Sequence, residues 1–542
     1  MARDNGLPFL RIPPFPGHRA PPLASSGYSK ADPALLAKAL RQNRVGGAFW
    51  GAHISLPNGV GHVLAPETPA QLGEMLAALE GARAAILAAP ALRIPPGHMA
   101  VPPDSDPWSL CAAAATVWAG AGHELALVGG LAGKPLRLFG AGRFTGCEID
   151  PAAVAARDIA RFSCRNPFSG EPWTALQAIA QLGEWRRLIG ANRPIGAVFG
   201  VAGWKRVTLD AMLWDGTGPV RHARRLPVTA GAGPSLAAWK SRTAPALIAA
   251  LEASGAQIAE LEDGFIRSSG LGANCVPPLS AIVDFAGVYF DPSGPSDLED
   301  ILQHAEIGSA LCARASTLSA RLVEAAISKY AQGGNPMVRM PAGGRRILVT
   351  GQVEDDRSIL SGGAGCTNLE LLKRARALES DAWLIYKPHP DVEAGHRKGH
   401  VPAAEALRHA DEIARDAPIT SLIDSVDGLH VITSLAGFEA LLRGKPVTTH
   451  GVPFYAGWGL TRDLGAVPAR RSRHRSLDEL VAATLLIYPR YVDPVTRLPC
   501  PAEVVIERMA RGEARVTSPL VALREWQGRA QLLWQRVAGV RR

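Results

Sequence analysis

Apolar residues in this chain gather in short uninterrupted runs, separated by longer stretches of helical character. Ala84-Ala85-Ile86-Leu87-Ala88 reads as a buried strand, whereas Ala126-Leu127-Val128 fits strand or helix equally. Val198-Phe199-Gly200-Val201 opens a second strand–helix series. Arg346-Ile347-Leu348-Val349-Thr350 opens a third, continued by Trp383-Leu384-Ile385-Tyr386 and His430-Val431-Ile432-Thr433. Runs without polar alternation, spaced by helices, belong to parallel sheets covered on both faces. The fold class is therefore α/β.

A partial internal repeat divides the chain further. Gly444-Lys445-Pro446-Val447, Gly451 and Gly457 recur as Gly133-Lys134-Pro135-Leu136, Gly140 and Gly146; the separations 133 to 444, 140 to 451 and 146 to 457 are all 311 residues. Asp493-Pro494-Val495-Thr496 with Pro499 recurs, after an insertion, as Asn166-Pro167-Phe168-Ser169 with Pro172. Order and spacing together point to a duplicated nucleotide-binding half. The earlier copy has lost its chemistry: His123 stands where Ser434 stands in the later one, and Val128 where Glu439 does. The expected organisation is a lead-in rich in Pro, Gly and Arg over 1–34 and a degenerate half-module over 35–190. Two complete Rossmann domains over 191–340 and 341–515 follow, then a basic C-terminal helix over 516–542.

The length of 542 residues suits several domains, and 47% hydrophobic against 20% charged residues is globular composition. The net charge of +9 suits an anionic substrate, an anionic membrane or nucleic acid. No helix-turn-helix, finger spacing or RNA-binding signature is present, which argues against nucleic acid. Seven scattered cysteines without a CxxC pair fit a reducing cytoplasm rather than disulfides or zinc. The N-terminus lacks a signal-peptide layout, and no apolar run reaches the roughly 20 residues of a membrane helix. Any membrane contact is expected to be peripheral. The C-terminal segment from Arg524, with Trp526 and Trp534 among basic residues, can lie on anionic lipid or pack back on the body.

Four motifs carry candidate chemistry. Glu262-Asp263-Gly264-Phe265-Ile266-Arg267-Ser268-Ser269-Gly270-Leu271-Gly272 follows the strand Gln257–Leu261. It sets two carboxylates at a strand end, where α/β enzymes open their cleft. Arg267 can pair with Asp263 or with a substrate carboxylate. Tyr386-Lys387-Pro388-His389-Pro390-Asp391 holds His389 between prolines, and Lys387 with His389 can grip a phosphate. Thr433-Ser434-Leu435-Ala436-Gly437-Phe438-Glu439 runs from strand into helix, with hydroxyls and free N–H groups for an anion. Glu439 would reach ribose hydroxyls there. Phe454-Tyr455-Ala456-Gly457-Trp458-Gly459 suits stacking on a sugar or closing a cleft. Gln352-Val353-Glu354-Asp355-Asp356-Arg357 follows another strand; its carboxylates lack the further ligands of a metal site, so neither metal nor cofactor is expected.

Taken together, these runs resemble the capsule polysaccharide biosynthesis family of β-Kdo transferases (the KpsC type). The resemblance rests on Glu262–Ser268, Gln352–Ser358, Tyr386–Asp391, Thr433–Leu442, Pro453–Leu460 and Tyr491–Thr496, and covers about 195–510. It implies a GT-B-like fold, two Rossmann domains facing a cleft, here preceded by the degenerate half-module. It further implies CMP-Kdo as donor, a lipid-linked Kdo acceptor on the cytoplasmic face of the inner membrane, capsule assembly proteins as possible partners, and retention of configuration. Asp263 is then the expected nucleophile with Glu262 as its substitute. Arg267, Gln352, Lys387, His389, Ser434, Gly437 and Glu439 are the expected substrate-binding set. Two other classes fit the letters: an epimerase or hydrolase of the same fold acting on a sugar nucleotide, and a non-catalytic capsule scaffold with a degenerate transferase fold.

Overall fold

The apolar runs fold as strands and the amphipathic stretches between them as helices in a computed structural model that describes residues 7–90, 92–225, 235–267, 276–327, 343–395 and 397–514. The expected helix over 516–542 lies outside the described residues, as does the Ser268–Gly272 end of the first motif. The chain divides into two compact units. One takes the chain through Gly196 with Asp210–Arg221 and Val495–Pro499. The other takes Ala197–Leu209, His222–Pro494 and the chain from Cys500 on.

In the first unit the lead-in is extended but packed. Its β1 (Ala24–Ser26) heads a three-stranded sheet, and Phe9, Leu10, Phe15 and Leu23 are buried core residues. The Phe15 ring meets the Trp185 ring edge-on at 5.7 Å. Pro and Gly suppress helix and strand here, so the segment is irregular, yet its few large apolar side chains still find the core. The main sheet comprises β2 (His62–Ala65), β3 (Ala84–Leu87), β4 (Met99–Val101), β5 (Thr116–Gly120) and β6 (Leu136–Phe139). Its order is β4-β3-β2-β5-β6 and every pairing is parallel. Ala126–Val128 resolves as helix, inside Glu124–Leu131. The small antiparallel sheet is completed by β7 (Phe162–Arg165) and β8 (Pro172–Trp173).

The second unit carries two six-stranded sheets. The first has the order β20-β19-β12-β11-β10-β9. Its strands are β9 (Ile195–Phe199), β10 (Ser235–Ala238), β11 (Ile258–Asp263), β12 (Ser280–Asp284), β19 (Arg490–Val492) and β20 (Pro499–Cys500). It is not wholly parallel: β12 runs antiparallel to β11 and to β19. The chain leaves β11 at Gly264, whose N–H donates to the Ser280 carbonyl at 3.1 Å. A return of this kind pairs neighbours directly and needs no crossover helix. Any Cβ at Gly264 would meet Ser280 Oγ at 2.2 Å, so only glycine fits that turn.

The second sheet is parallel throughout: β13 (Arg346–Thr350), β14 (Trp383–Lys387), β15 (Glu412–Ile413), β16 (Gly428–Val431), β17 (Val447–Thr449) and β18 (Arg462–Asp463), in the order β15-β14-β13-β16-β17-β18. Its first five strands thus follow the same third-second-first-fourth-fifth order as β2 to β6. The repeat positions also share geometry. Gly133 and Gly444 both have φ +67°, and Gly146 and Gly457 both +92°. Lys134 Nζ donates to the Ala114 carbonyl at 2.7 Å and Lys445 Nζ to that of Val426 at 2.8 Å. One apolar cluster joins the unit's two sheets, with Ile282 from one and Leu348, Ile385 and Leu429 from the other.

Candidate active site

The site begins with the last residues of β11, where successive side chains point to opposite faces. Glu260 and Glu262 share one face, and both accept from Arg357 Nη1, Glu262 at 3.2 Å. Lys240 adds a second cation to Glu260 at 3.5 Å. Asp263, on the other face, lies between two cations. Lys205 Nζ donates to its Oδ1 at 3.1 Å, and Arg267 Nε donates to its Oδ2 at 2.7 Å. Of the two roles open to Arg267, the structure displays the pairing with Asp263. The guanidinium is 2% exposed and also donates to the Val276 carbonyl.

Electrostatics separates the two carboxylates. Burial, and after it the charge of Asp263, pushes the Glu262 carboxyl up to about 7. Burial likewise brings the Lys205 ammonium down to about 8, against the opposing pull of Asp263. The ammonium is 3.2 Å from the centroid of the Trp239 ring, a cation–π contact that helps keep it in a largely dry position. Adjacent groups with displaced proton affinities mark a candidate reaction centre.

The second half lies at the C-terminal ends of the parallel strands β13, β14 and β16. Gln352 is a strut between two of them: its Nε2 donates to Thr433 Oγ1 at 3.1 Å, and its Oε1 accepts from the Thr433 N–H at 2.8 Å. Lys387 ends β14 and donates to the Arg415 carbonyl; burial lowers its proton affinity. His389 caps the short helix Pro390–Glu393, and Nδ1 accepts from the Asp391 N–H at 3.2 Å. An accepting Nδ1 puts the proton of the neutral ring on Nε2, which is then a donor. Ser434 caps the helix Leu435–Leu441, with Oγ accepting from the Ala436 N–H at 3.2 Å. Gly437 is where Tyr455 closes on that helix, since a Cβ would meet Tyr455 Oη at 2.2 Å. The Glu439 side chain is buried, and its carbonyl accepts from Arg443 Nη1 at 3.0 Å.

Arg357 and Phe265 join the halves. Arg357, five residues beyond Gln352, starts the helix Arg357–Gly362 and reaches back to Glu260 and Glu262. Phe265, two residues beyond Asp263, packs its ring 4.8 Å from that of Phe454 and 6.5 Å from that of Phe438, next to Glu439. Lys205, Lys240 and Trp239 belong to none of the sequence motifs; Arg357 closes the Gln352–Arg357 run, but no letter there names its partners. Lys205 and Lys240 fall in one-turn helices and Trp239 directly before one, at no spacing that marks them in the sequence.

One expectation is overturned. The aromatic-glycine loop offers no sugar-stacking face: Phe454 is 6% exposed and Tyr455 and Trp458 are fully buried. Trp458 Nε1 donates to the Phe454 backbone carbonyl at 2.8 Å, so the indole's one polar group is satisfied within the core. Glu354, Asp355 and Asp356 engage separate partners, the Asn368 N–H, Arg397 and the Ser358 N–H.

Comparison with known proteins places this geometry in context. A family described as "Capsule polysaccharide biosynthesis protein" matches residues 235–339 and 314–491. The capsule polysaccharide modification protein LipA of Neisseria meningitidis serogroup A is 47% identical over 252 residues, 46% of this chain and 36% of its own length. The chain thus aligns with little more than a third of that relative. The lipopolysaccharide-processing protein LpsZ of Rhizobium meliloti is 40% identical over 352 residues, covering 58% of this chain and 74% of LpsZ. Among solved structures, a β-Kdo 2,4 transferase, KpsC of Thermosulfurimonas dismutans, superposes with a TM-score of 0.51 at 31% identity, over 58% of this chain and 98% of the other.

Proposed function

The chain belongs to the capsule polysaccharide biosynthesis family, and on that premise we propose that it is a glycosyltransferase that moves Kdo from CMP-Kdo onto a lipid-linked Kdo acceptor with retention. The observation that carries this is the placement of Asp263 between Lys205 and Arg267, with Arg357 tying the same strand end to the segment of the Gln352–Thr433 strut. Two cations favour an ionised Asp263 at neutral pH, the state a nucleophile needs.

Retention follows from two displacements. A carboxylate oxygen of Asp263 bonds to the anomeric carbon as the bond from that carbon to the phosphate oxygen breaks, and the electron pair leaves with CMP. The acceptor hydroxyl then attacks the same carbon, Asp263 is released, and the hydroxyl proton passes to a base. Glu262, with its carboxyl near 7, is matched to that exchange. Lys387, the Nε2–H of His389 and the turn at Ser434 would stabilise charge on the departing phosphate. Kdo carries its carboxylate on the anomeric carbon, so its cation must stand beside Asp263, where Lys205 and Arg267 both lie. The first unit repeats the strand order of the second sheet without Ser434 or Glu439, and is assigned no donor site.

The experiment is mass spectrometry and NMR of the product formed from CMP-Kdo and a synthetic Kdo-lipid. One added β-linked Kdo is expected. Epimerised or free Kdo without transfer would turn the assignment to an epimerase or hydrolase; no CMP binding at all would turn it to a scaffold.

A further inference from the structure

A cavity of about 490 Å³ opens just beyond the end of β9. Small-ligand sites commonly measure about 300–1,000 Å³. Its floor is the backbone of Gly200–Gly203, and its charged walls are Arg206, Arg224 and Arg242. No carboxylate is among the described residues that line it. Arg206 Nε is buried and has no hydrogen-bond partner among the described residues. Three guanidinium groups without a lining acid attract an anion, and planar guanidinium groups match carboxylate oxygens in pairs.

The loop is built for this opening. Gly200 has φ +70°, and a Cβ there would come within 2.7 Å of the Trp239 carbonyl and 2.4 Å of Thr243 Oγ1. At Gly203 a Cβ would meet nothing within 4 Å, so the floor stays open. The same two segments that line the cavity also hold the carboxylates of β11. Lys205 binds Asp263 while the next residue, Arg206, lines the cavity; Lys240 pairs with Glu260 while Arg242, two residues on, lines it.

We infer that this cavity is the acceptor's anion subsite, holding a carboxylate-bearing sugar of the glycan that receives the transferred residue. The inference rests on the transferase reading above. The donor's carboxylate is attached to the carbon under attack and must remain beside Asp263. The acceptor's own carboxylate is several bonds from its attacking hydroxyl, and so requires cations set back from Asp263 along the same loops. Arg206, Arg224 and Arg242 stand in that relation.

The test is calorimetry on the full chain, titrated with the methyl glycoside of a Kdo disaccharide, with its carboxyl-reduced analogue and with inorganic phosphate. Arg224→Gln, Arg242→Gln and the double variant are compared with the unaltered protein, and CMP is titrated into each as a check on folding. The double variant should bind the acidic glycoside at least tenfold more weakly while CMP affinity stays within twofold. The reduced analogue should bind all four proteins alike. In transfer assays the acceptor KM should rise tenfold and the donor KM stay unchanged. Equal glycoside affinity in all four proteins would overturn the assignment, as would phosphate binding as tight as the glycoside's. Lack of turnover of CMP-Kdo by the unaltered protein would instead count against the transferase reading, and the glycoside titration would still decide the subsite.

Discussion

Lys205 and Asp263 lie 58 residues apart in the chain, yet the ammonium sits 3.1 Å from the carboxylate, against the face of Trp239. A hydrogen bond to a charged, partly buried group contributes about 1.5–3 kcal/mol. If it acts in the rate-limiting step, its removal costs about ten- to a hundredfold in rate at 1.4 kcal/mol per decade. Lys205→Gln should therefore lower kcat by that amount while CMP affinity, measured by calorimetry, is unchanged. A kcat within twofold of the unaltered protein would release Lys205 from the site.

Asp263 itself gives the sharpest case. Asp263→Asn keeps the shape and leaves Lys205 and Arg267 with a neutral acceptor. It should abolish transfer while CMP affinity stays within a few-fold, because the proposed CMP-binding residues lie on other strands. Substantial turnover in a rapid-quench assay would retire Asp263 as nucleophile and bring Glu262 forward.

The legibility of this chain depended on the range of each interaction. Strand β13 coincides with the apolar run Arg346–Thr350, and Ser434 caps its helix, because burial and capping are local properties. The Lys205–Asp263 pair spans β9, β10 and β11, and no periodicity encodes a contact between loops of separate strands. The letters Phe-Tyr-Ala-Gly-Trp-Gly suit stacking on a sugar or closing a cleft; that Phe454 and Trp458 are core is decided by packing. Glu262 was legible as a carboxylate, but its displaced proton affinity arises from burial, which only the fold supplies.

That displacement has a pH signature. The Glu262 carboxyl moves from its ordinary 4.5 to about 7 on folding. Between those values the folded protein holds a proton that the unfolded chain has released, so this group's contribution to stability falls as pH rises from 4.5 towards 7. Glu262→Gln should flatten that part of a thermal-unfolding series across pH. For activity the sign is opposite: as a base Glu262 works above about 7, and Lys205 loses its charge above about 8. The kcat/KM profile should peak between those limbs, and Glu262→Gln should remove the acid limb. A profile with the same acid limb in the variant would assign it to another group.

Gly437 offers a packing test. Glycine within a helix normally costs about 0.5–1 kcal/mol relative to alanine. Here the added methyl would sit 2.2 Å from Tyr455 Oη, which donates to the Ser434 carbonyl at 2.5 Å. Gly437→Ala should therefore destabilise, by about 1–3 kcal/mol as for other overpacked cores. In denaturant titrations Tyr455→Phe should recover part of that loss by removing the crowding oxygen. A stabilised Gly437→Ala would mean that Tyr455 shifts freely.

The repeat makes the last prediction. His123 occupies in the first sheet the place of Ser434 in the second: each caps the helix after the fourth strand in chain order and accepts the N–H of the second residue beyond it, Leu125 or Ala436. The two positions share a backbone role, so what separates them is what the cap can offer a ligand. Burial lowers the proton affinity of His123, and Val128 brings no carboxylate where Glu439 stands in the later copy. His123→Ser restores the later copy's residue and keeps the cap, whose loss to alanine would cost about 1 kcal/mol. It should leave both the melting temperature and transfer from CMP-Kdo close to those of the unaltered protein. Ser434→Ala loses the hydroxyl and should raise the donor KM. A strong loss of transfer in His123→Ser, with the fold intact by circular dichroism, would mean that the first sheet takes part in the reaction.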